Sequence, residues 1–377
     1  RRYFFLLLFF FLYLIFTYYL VYFENIVYLH SDELTFHNWA DKISSLNFNL
    51  WWSEIKESYV GLFQTSNAYF TVFWYSIIYS IADIIGFPQI LFLRIINVIV
   101  GIYTSITISN YIEKFSKTKL SFLEILCISL PFLFFSPTLL RDNYVILFSF
   151  LGLISFREKK DKWLLKTTFF ALIVFLFRHI SLVFFLLLLF VFSYEKYRIN
   201  IILFISLILI FANIDFGSIY YYIINFRVNF LIRFSDANLF KILSLPFPFN
   251  ELILLLYSFL GVFPFYSYLI IDLPKSLIRI PESLSSLVMY FYILSTYFYA
   301  FLLKSKLLHL IIVTGLFMLS NIEFSLRRQL IVFPFIIELY YLYFNILKTS
   351  DNKINIKIIN LVILFIYLFL IVVYNLI

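Results

Sequence analysis

Residues 3–23 read YFFLLLFFFLYLIFTYYLVYF, a run of 21 residues without a charged side chain. An α-helix needs about 20 apolar residues to cross the hydrocarbon of a bilayer, so this run predicts a transmembrane helix. It is longer than the apolar region of a secretory signal peptide and lacks a small-residue cleavage motif, which favours a permanent anchor.

The composition of the whole chain also predicts a lipid environment. The 377 residues are 63% hydrophobic and 13% charged, with 52 Phe and 30 Tyr, whereas soluble domains carry about 25% charged residues. A folded soluble monomer leaves too much of its surface wet to hide so many apolar side chains. Soluble, disordered, collagen-like and disulfide-scaffold classes are therefore excluded, and lipid is the expected solvent.

Further apolar stretches follow along the chain and predict an all-α, polytopic integral membrane protein with about 11 to 13 transmembrane helices. The candidate spans are 3–23, 68–87, 90–110, 122–140, 144–156, 164–177, 180–194, 199–213, 252–271, 284–303, 307–322, 330–347 and 358–377. No Gly/Ser linker, soluble tail or internal repeat divides the chain, so residues 1–377 are expected to form a single transmembrane domain.

The loops between these spans predict the orientation. Short basic loops, together with Arg1 and Arg2, hold 17 of the 29 Lys and Arg residues, and the positive-inside rule places them in the cytoplasm. These loops are 114–119, 157–166, 195–198, 304–306 and 348–357. Two longer segments, 24–67 and 215–251, are aromatic, which predicts extracytoplasmic loops containing interfacial helices. Much of the net charge of +8 is thus explained by the orientation of the chain in the membrane. No nucleic-acid partner is predicted.

The candidate spans do not alternate cleanly between the two sides. Two of them lie between the first long loop, 24–67, and the basic loop 114–119, which would put that basic loop on the wrong side. A similar conflict surrounds residues 252–284. One segment in each region is expected to be re-entrant or interfacial, or not to be a span.

Twelve cations are left unexplained by orientation, and most fall at predicted extracytoplasmic span ends or in the two long loops. They are Lys42, Lys56, Arg94, Arg141, Arg178, Arg227, Arg233, Lys241, Lys275, Arg279, Arg327 and Arg328. Ionisable groups at membrane depth are costly and usually functional, and the arginine fork matches phosphate oxygens. The set predicts a bound lipid phosphate on the extracytoplasmic side. Simple neutralisation stays open for individual arginines, since Arg141 lies beside Asp142. The same holds for Arg327 and Arg328, which follow Glu323.

Asp32 and Glu33 lie shortly after the first span, close to the predicted membrane surface. Adjacent carboxylates raise one another's pKa, and a carboxylate at this height is suited to act as general base for a sugar hydroxyl. The alternative is a solvated loop or a helix start, with Ser31 or Asp32 as the N-cap. Asp142 is expected to face the same compartment, either as a second carboxylate of the site or as the partner of Arg141.

Other polar residues interrupt apolar runs or lie close to the acidic pair. Asp83, Glu124 and Glu338 fall within apolar runs, where they are expected to line a cavity, to mark the end of a span or to show that the run is not a span. His37 and Trp39, in the acidic loop, are candidates for binding an acceptor sugar. The alternative for Trp39 is an interfacial aromatic belt.

No cofactor is predicted, and a divalent cation stays an open alternative. The four His residues are scattered and the single cysteine, Cys127, lies in an apolar run, which argues against a transition-metal site, a thiolate cluster or an internal disulfide. No glycine-rich phosphate loop occurs in a strand–helix context, so no nucleotide site is expected.

Four motifs in this order resemble the GT-C superfamily of membrane glycosyltransferases. They are DELTFHNWA at 32–40, LRIIN at 93–97, SPTLLRD at 136–142 and LRRQLIVFP at 326–334. They are similar, respectively, to the acidic signature of the first extracytoplasmic loop, an Arg-hydrophobic-hydrophobic-Asn segment, a second acidic site and a late Arg-then-Pro segment. The length, the Phe/Ile/Tyr bias and the mid-chain loop resemble more narrowly the bacterial O-antigen and capsule repeat-unit polymerases.

The resemblance implies a GT-C-like fold and an inverting glycosyltransferase that uses polyprenyl-(di)phosphate-linked saccharides without a cofactor. The catalytic carboxylate falls on Asp32, with Glu33 beside it, and the second acidic position on Asp142. The phosphate-contacting cations fall on Arg141, Arg178, Arg327 and Arg328. It also implies an extracytoplasmic active site in the bacterial inner membrane, with membrane lipid and a chain-length regulator as partners.

Three other functions are compatible with parts of this pattern. A lipid-linked oligosaccharide flippase would share the cationic residues without needing a base, but only 7 Gly in 377 residues leaves few hinges for alternating access. A membrane acyltransferase would need a buried catalytic His, and none stands out. A purely structural membrane protein leaves the outward arginines unexplained.

Overall fold

The chain is described by a computed structural model over residues 2–23, 31–58, 69–138, 141–178, 273–303 and 333–349, with isolated positions between 181 and 189 and between 358 and 369. Every regular element within these residues is helical, which confirms the predicted all-α class. The second predicted loop, 215–251, lies outside the described residues, as do Arg327 and Arg328.

The helices are numbered here in chain order. They are α1 (Arg2–Phe23), α2 (Ser31–Ser44), α3 (Trp51–Ser58), α4 (Tyr69–Ile84), α5 (Gln89–Ser116), α6 (Phe122–Phe135), α7 (Asp142–Glu158), α8 (Trp163–Phe177), α9 (Leu273–Leu302) and α10 (Phe333–Thr349). A 3-10 turn over Phe48–Leu50 leads into α3. α2 and α3 fall in the first long loop, where the sequence predicts interfacial helices, and α2 begins at Ser31, beside the acidic pair.

Two of the described helices are long and apolar enough to cross a membrane, α1 over Arg2–Tyr19 and α5 over Gln89–Ser116. Shorter apolar helices occur at Phe122–Leu133, Trp163–Phe177 and Leu287–Leu302. Membrane association is consistent with these helices, and the arrangement of 11 to 13 crossings stays a prediction.

α5 is the helix around which much of the described structure packs. It contacts α1, α4, α6, α7 and α10, and its 28 residues extend about 42 Å. Buried residues recur at intervals of three and four from Leu93 to Ile112. This spacing places side chains on one face of a helix, where they can pack against neighbouring helices. α5 therefore connects the two ends of the described bundle.

At Gly101, α5 passes close to α1 and to the end of α6. A Cβ atom at this position would lie 1.9 Å from Ser136 Oγ and 3.1 Å from the ring of Phe10. Because real Cβ atoms do not approach other atoms so closely, only glycine allows the three segments to pack at this distance.

One end of the described bundle collects basic residues. Arg2, at the start of α1, forms an ion pair with Glu113 near the end of α5, so the two helices run antiparallel. Lys114 and Lys160 both pair with Glu158 at the end of α7, and their hydrogen bonds hold the pKa of Glu158 below its ordinary value. Three of the predicted cytoplasmic segments therefore meet at this end, here named the basic end.

α2 and α3 pack against α4 away from the basic end. Phe36, Ala40 and Ile43 are buried and recur every three or four residues, as on the apolar face of an amphipathic helix. Trp51 of α3 places its ring edge-to-face on Phe73 of α4, with centroids 6.0 Å apart. The first long loop thus forms a helical layer over α4.

α4 stays away from the basic end along its length. α8 starts near the basic end and finishes at Phe177, where Phe70 of α4 makes an edge-to-face contact at 4.9 Å between centroids. Further along α4, Tyr79 meets His37 of α2. Because both partners belong to the same end, α4 lies along this end and does not connect it to the basic one. Over Tyr69–Ile84 the predicted span 68–87 is helical and lies at one end of the described bundle, while the alternation of the spans stays a prediction.

Replacing Gly101 by valine is expected to destabilise the protein, because the new side chain collides with Ser136 and Phe10. Overpacking of this kind typically costs about 1–3 kcal/mol, which thermal unfolding of the detergent-purified protein would show as a lower midpoint. Ile99→Val, at an exposed position of the same helix, is the matched control and should unfold like the wild type. An unchanged midpoint for Gly101→Val would contradict the close packing.

Candidate functional site

Glu33 of α2 and Arg94 of α5 form a buried ion pair. Glu33 Oε2 lies 3.5 Å from Arg94 Nη2, and the two side chains are 0% and 1% exposed. Glu33 belongs to the first turn of α2 and Arg94 to the second turn of α5, so the pair ties the acidic helix to the central one. A charge at such depth is strongly unfavourable unless it is paired.

A second buried ion pair closes the hairpin of α7 and α8. Arg178 Nη1 lies 3.0 Å from Asp142 Oδ1, and the side chains are 4% and 0% exposed. Because the two helices are antiparallel, the first residue of α7 meets the residue that follows α8. Asp142 also lies where a negative charge is favoured by the dipole of α7.

Arg141 connects this hairpin to α2. Its Nη1 donates to the Phe177 carbonyl at 2.8 Å, which satisfies a carbonyl at the end of α8. Its guanidinium lies over the Phe36 ring, 5.8 Å from the centroid, in cation–π geometry. Phe36 is one helical turn from Glu33 on α2, so both ion pairs belong to one group of side chains. We call Glu33, Arg94, Arg141, Asp142 and Arg178 the charged cluster.

Asn97 holds the backbone beside the charged cluster. Its Nδ2 donates to the Thr138 carbonyl at 2.6 Å, and its Oδ1 accepts from the Tyr144 hydroxyl at 2.8 Å. Asn97 follows Arg94 by one turn of α5, so both side chains point to the same side of the helix. The segment between α6 and α7, which leads to Arg141, is thereby fixed against α5.

His37 borders the charged cluster from α2. Its Nδ1 lies 2.8 Å from the Tyr79 hydroxyl of α4. Burial lowers the pKa of His37 below its ordinary value of 6.5, the nearby Asp41 opposes that shift, and Arg94 adds to it. The predicted acceptor residue is therefore close enough to Arg94 to sense its charge.

The remaining predicted site residues have other surroundings or fall outside the described structure. Trp39 packs against the hydrophobic core, and the Lys42 ammonium lies 5.3 Å from the centroid of its ring. Asp32 is part of the first turn of α2, but its side chain lies outside the described residues, as do Arg327 and Arg328. The described structure therefore brings together Glu33, Asp142, Arg141, Arg178 and His37 from the predicted set.

The charged cluster carries more positive than negative charge. Three arginines face two carboxylates, a formal excess of +1, and each of the five side chains is less than a tenth exposed. Guanidinium groups held by ion pairs and a backbone carbonyl are oriented before any ligand arrives, which favours the binding of an anion. Phosphate matches their planar fork best.

Several polar residues of this region were not assigned to the site by their pattern. Arg94 stands out in the sequence as a cation that orientation does not explain, and Asn97 follows it by one helical turn. Arg94 and Asn97 could have been identified from the sequence, because they place two strongly polar side chains on one face of an apolar helix. Tyr75 and Tyr144 carried no such signal, because a chain with 30 Tyr offers many equivalent candidates.

The three acidic residues of the apolar runs have separate places. Glu124 is the third residue of α6 and closes a capping box there, and Asp83 lies exposed near the end of α4, where Gln89 donates to it. Both lie near a helix end, and their predicted roles in membrane spans stay predictions. Glu338 of α10 is buried and pairs with Arg157 of α7, so it joins two helices.

No protein-family model, curated protein or solved structure matches the chain. The resemblance to the GT-C superfamily therefore rests on the motifs themselves and stays a prediction. Function has to be argued from the charged cluster and its place in the bundle.

The Glu33–Arg94 pair is expected to be strongly coupled in a double-mutant cycle. Glu33→Met and Arg94→Met each leave a buried charge without its partner, which typically costs about 3–5 kcal/mol. The double variant removes both charges and should lose clearly less stability than the two single losses combined, as read from thermal unfolding.

Lys42 and Glu54, which pair between α2 and α3, supply the matched control cycle. Their side chains are 54% and 26% exposed, and exposed pairs contribute about 0–1 kcal/mol. Additive losses in the Glu33–Arg94 cycle, equal to those of this control, would show that the buried pair is not coupled.

Stability is expected to fall at mildly acidic pH through His37. Its pKa is lowered on folding, so the neutral form is the one that the folded protein favours. The resulting stability is fully present above about pH 6.5 and is lost as pH falls through the folded-state pKa. His37→Asn keeps a polar group near Tyr79 without titrating, so its unfolding midpoint should depend less on pH in this window. Equal pH dependence in both proteins would refute the assignment.

Proposed function

We propose that this protein is an inverting membrane glycosyltransferase of the GT-C type, which takes its saccharide from polyprenyl phosphate or diphosphate on the extracytoplasmic face. The observation that supports this function best is the charged cluster itself. Its three arginines and two carboxylates come from four helices and meet, buried, beside the acidic start of α2.

Outward-facing apolar side chains support a place in the membrane. On α1, Phe4 and Ile15 are 65% and 63% exposed, and on α8, Leu165 and Phe169 are 67% and 56% exposed. Water-soluble surfaces rarely carry such continuous apolar faces, whereas lipid tails cover them readily. With the basic end in the cytoplasm, the charged cluster faces the extracytoplasmic side, in the proposal the outer side of a bacterial inner membrane.

In the proposed reaction, the bond between the anomeric carbon and the phosphate oxygen breaks and its electron pair stays on the phosphate. Arg141 and Arg178 stabilise the negative charge that develops there, as donors in an oxyanion hole do. An acceptor hydroxyl attacks the anomeric carbon from the opposite face and forms the new glycosidic bond with inversion. Its proton passes to the carboxylate of Asp32, which acts as general base.

Glu33 and Asp142 have a different part in this proposal. Each lies against an arginine, Glu33 at 3.5 Å from Arg94 and Asp142 at 3.0 Å from Arg178. A carboxylate paired with a guanidinium is stabilised in its charged form and is a weak base. Both are therefore positioning residues that hold the arginines, and the base falls to their neighbour Asp32.

The narrower resemblance to O-antigen and capsule polymerases extends the proposal to both substrates. Donor and acceptor are then lipid-linked repeat units, and a chain-length regulator is the natural partner. His37, at the edge of the charged cluster on α2, is placed to contact the acceptor saccharide.

The test is transfer by the purified protein in proteoliposomes supplied with a polyprenyl-diphosphate oligosaccharide, with product length read on a gel. Asp32→Asn removes the proposed base, and Arg141→Lys keeps the charge but loses the planar fork. Each is expected to lower turnover by about 100-fold or more with little change in the unfolding midpoint.

Two conservative variants serve as controls. Asp83→Asn changes an exposed carboxylate of α4, and Arg2→Lys changes an arginine at the basic end; both should turn over like the wild type. Full activity of Asp32→Asn and Arg141→Lys would overturn the proposed site. Translocation of the lipid-linked saccharide without any transfer would replace the glycosyltransferase with the flippase.

A further inference from the structure

Two buried hydroxyl groups of α4 lie near the charged cluster without a hydrogen bond. Thr71 and Tyr75 are both 0% exposed, and among the described residues neither Thr71 Oγ1 nor Tyr75 Oη has a hydrogen-bond partner. The two residues are four positions apart, so their side chains share one face of α4.

Unpaired hydroxyl groups at such depth are costly. Among those of the described residues, which include Ser109 of α5, Thr71 and Tyr75 are the pair that lies on one face of α4. Nearly all buried polar groups in folded proteins are hydrogen-bonded, and leaving one unpaired forfeits the water it would otherwise bind. Phenylalanine and valine would fill the same volumes without that cost. A polar side chain kept at such a cost beside a group of buried charges is a candidate for contact with a ligand.

The surroundings of Tyr75 indicate the chemistry of that ligand. The Tyr75 ring packs edge-to-face on the Phe36 ring of α2, with centroids 6.0 Å apart. Phe36 is also the ring over which the Arg141 guanidinium lies. Tyr75 therefore shares this neighbour with a cationic group of the cluster.

Thr71 lies one helical turn before Tyr75 on the same face of α4. Close by, Phe70 of α4 packs on Phe177, whose carbonyl accepts from Arg141. This part of α4 therefore lies beside the hairpin that carries Arg141 and Arg178. A hydroxyl beside a guanidinium group with net positive charge around it is suited to donate to an anionic oxygen.

We propose that Tyr75 and Thr71 are ligand-binding residues that donate hydrogen bonds to the phosphate oxygens of the anionic substrate. The inference rests on the proposed function. It adds α4 to the phosphate site through two residues that belong to none of the four sequence motifs. Entry of the ligand requires α2 to move away from α4, because the Phe36 ring packs against Tyr75.

The test measures ligand affinity and intrinsic stability in the same variants. Tyr75→Phe and Thr71→Val remove only the hydroxyls, so the unfolding midpoint without ligand should be unchanged or raised. Ligand-dependent shifts of that midpoint give the affinity. The dissociation constant for polyprenyl diphosphate should rise about 10- to 100-fold in Tyr75→Phe, the loss expected for one hydrogen bond to a charged group.

Ser109→Ala is the matched control. Ser109 is also 0% exposed and its hydroxyl has no hydrogen-bond partner in the described structure, but it lies about 18 Å along α5 from Asn97. Its removal should leave the midpoint unchanged or raised and the affinity for polyprenyl diphosphate at the wild-type value.

Three ligands separate the possible sources of recognition. If inorganic diphosphate also binds, and its binding depends on Tyr75 in the same way, the site recognises the phosphate groups alone. If only polyprenyl diphosphate binds, the site recognises phosphate attached to a lipid. Polyprenol, which has no phosphate, should show no such dependence, and an equal loss with polyprenol would overturn the inference.

Failure of this inference is distinguishable from failure of the proposed function. Wild-type affinity in both Tyr75→Phe and Thr71→Val, with the wild type binding polyprenyl diphosphate, overturns the role of α4 alone. Absence of binding by the wild type overturns the proposed function as well. If Tyr75→Phe does not fold, Thr71→Val decides the outcome.

Discussion

Charge buried in apolar surroundings must be paired, and the arrangement of helices at one end of this protein depends on that constraint. Arg94 and Arg178 are almost fully buried, and each has a carboxylate from another helix beside it. Neither pair can form unless α2 reaches α5 and α8 returns antiparallel to α7. The cost of an unpaired charge thus selects the packing that also brings three arginines together.

The hydrophobic framework provides the precision that these pairs need. α5 contacts helices at both ends of the described bundle, and Gly101 lets it approach α1 and α6 without a side chain in between. Asn97 then holds both sides of Arg141, because its amide donates to the Thr138 carbonyl before Arg141 and accepts from the Tyr144 hydroxyl after it. Small and neutral polar residues therefore set the distances, while the charged residues set the chemistry.

The all-α class follows from the sequence, because lipid, the solvent that the composition predicts, leaves few alternatives. Backbone groups in an apolar solvent must be satisfied within each segment, so long apolar runs become helices. The position of α4 could not be predicted in this way. Residues 68–87 have the composition of a span, but their aromatic side chains find partners at one end only, such as Phe177 and His37. Local composition cannot specify with which helix a face will pack.

The sequence by itself determined the helical class and the residue types that could hold a phosphate, because these follow from hydropathy and charge, and it predicts two kinds of loop. Only the tertiary structure decided the pairing. Glu33 meets Arg94 across 61 residues and Asp142 meets Arg178 across 36, and Tyr75 joins them from α4. Electrostatic and packing energies act over a few ångströms in space, so residues far apart in the chain become partners only when antiparallel helices bring their ends together.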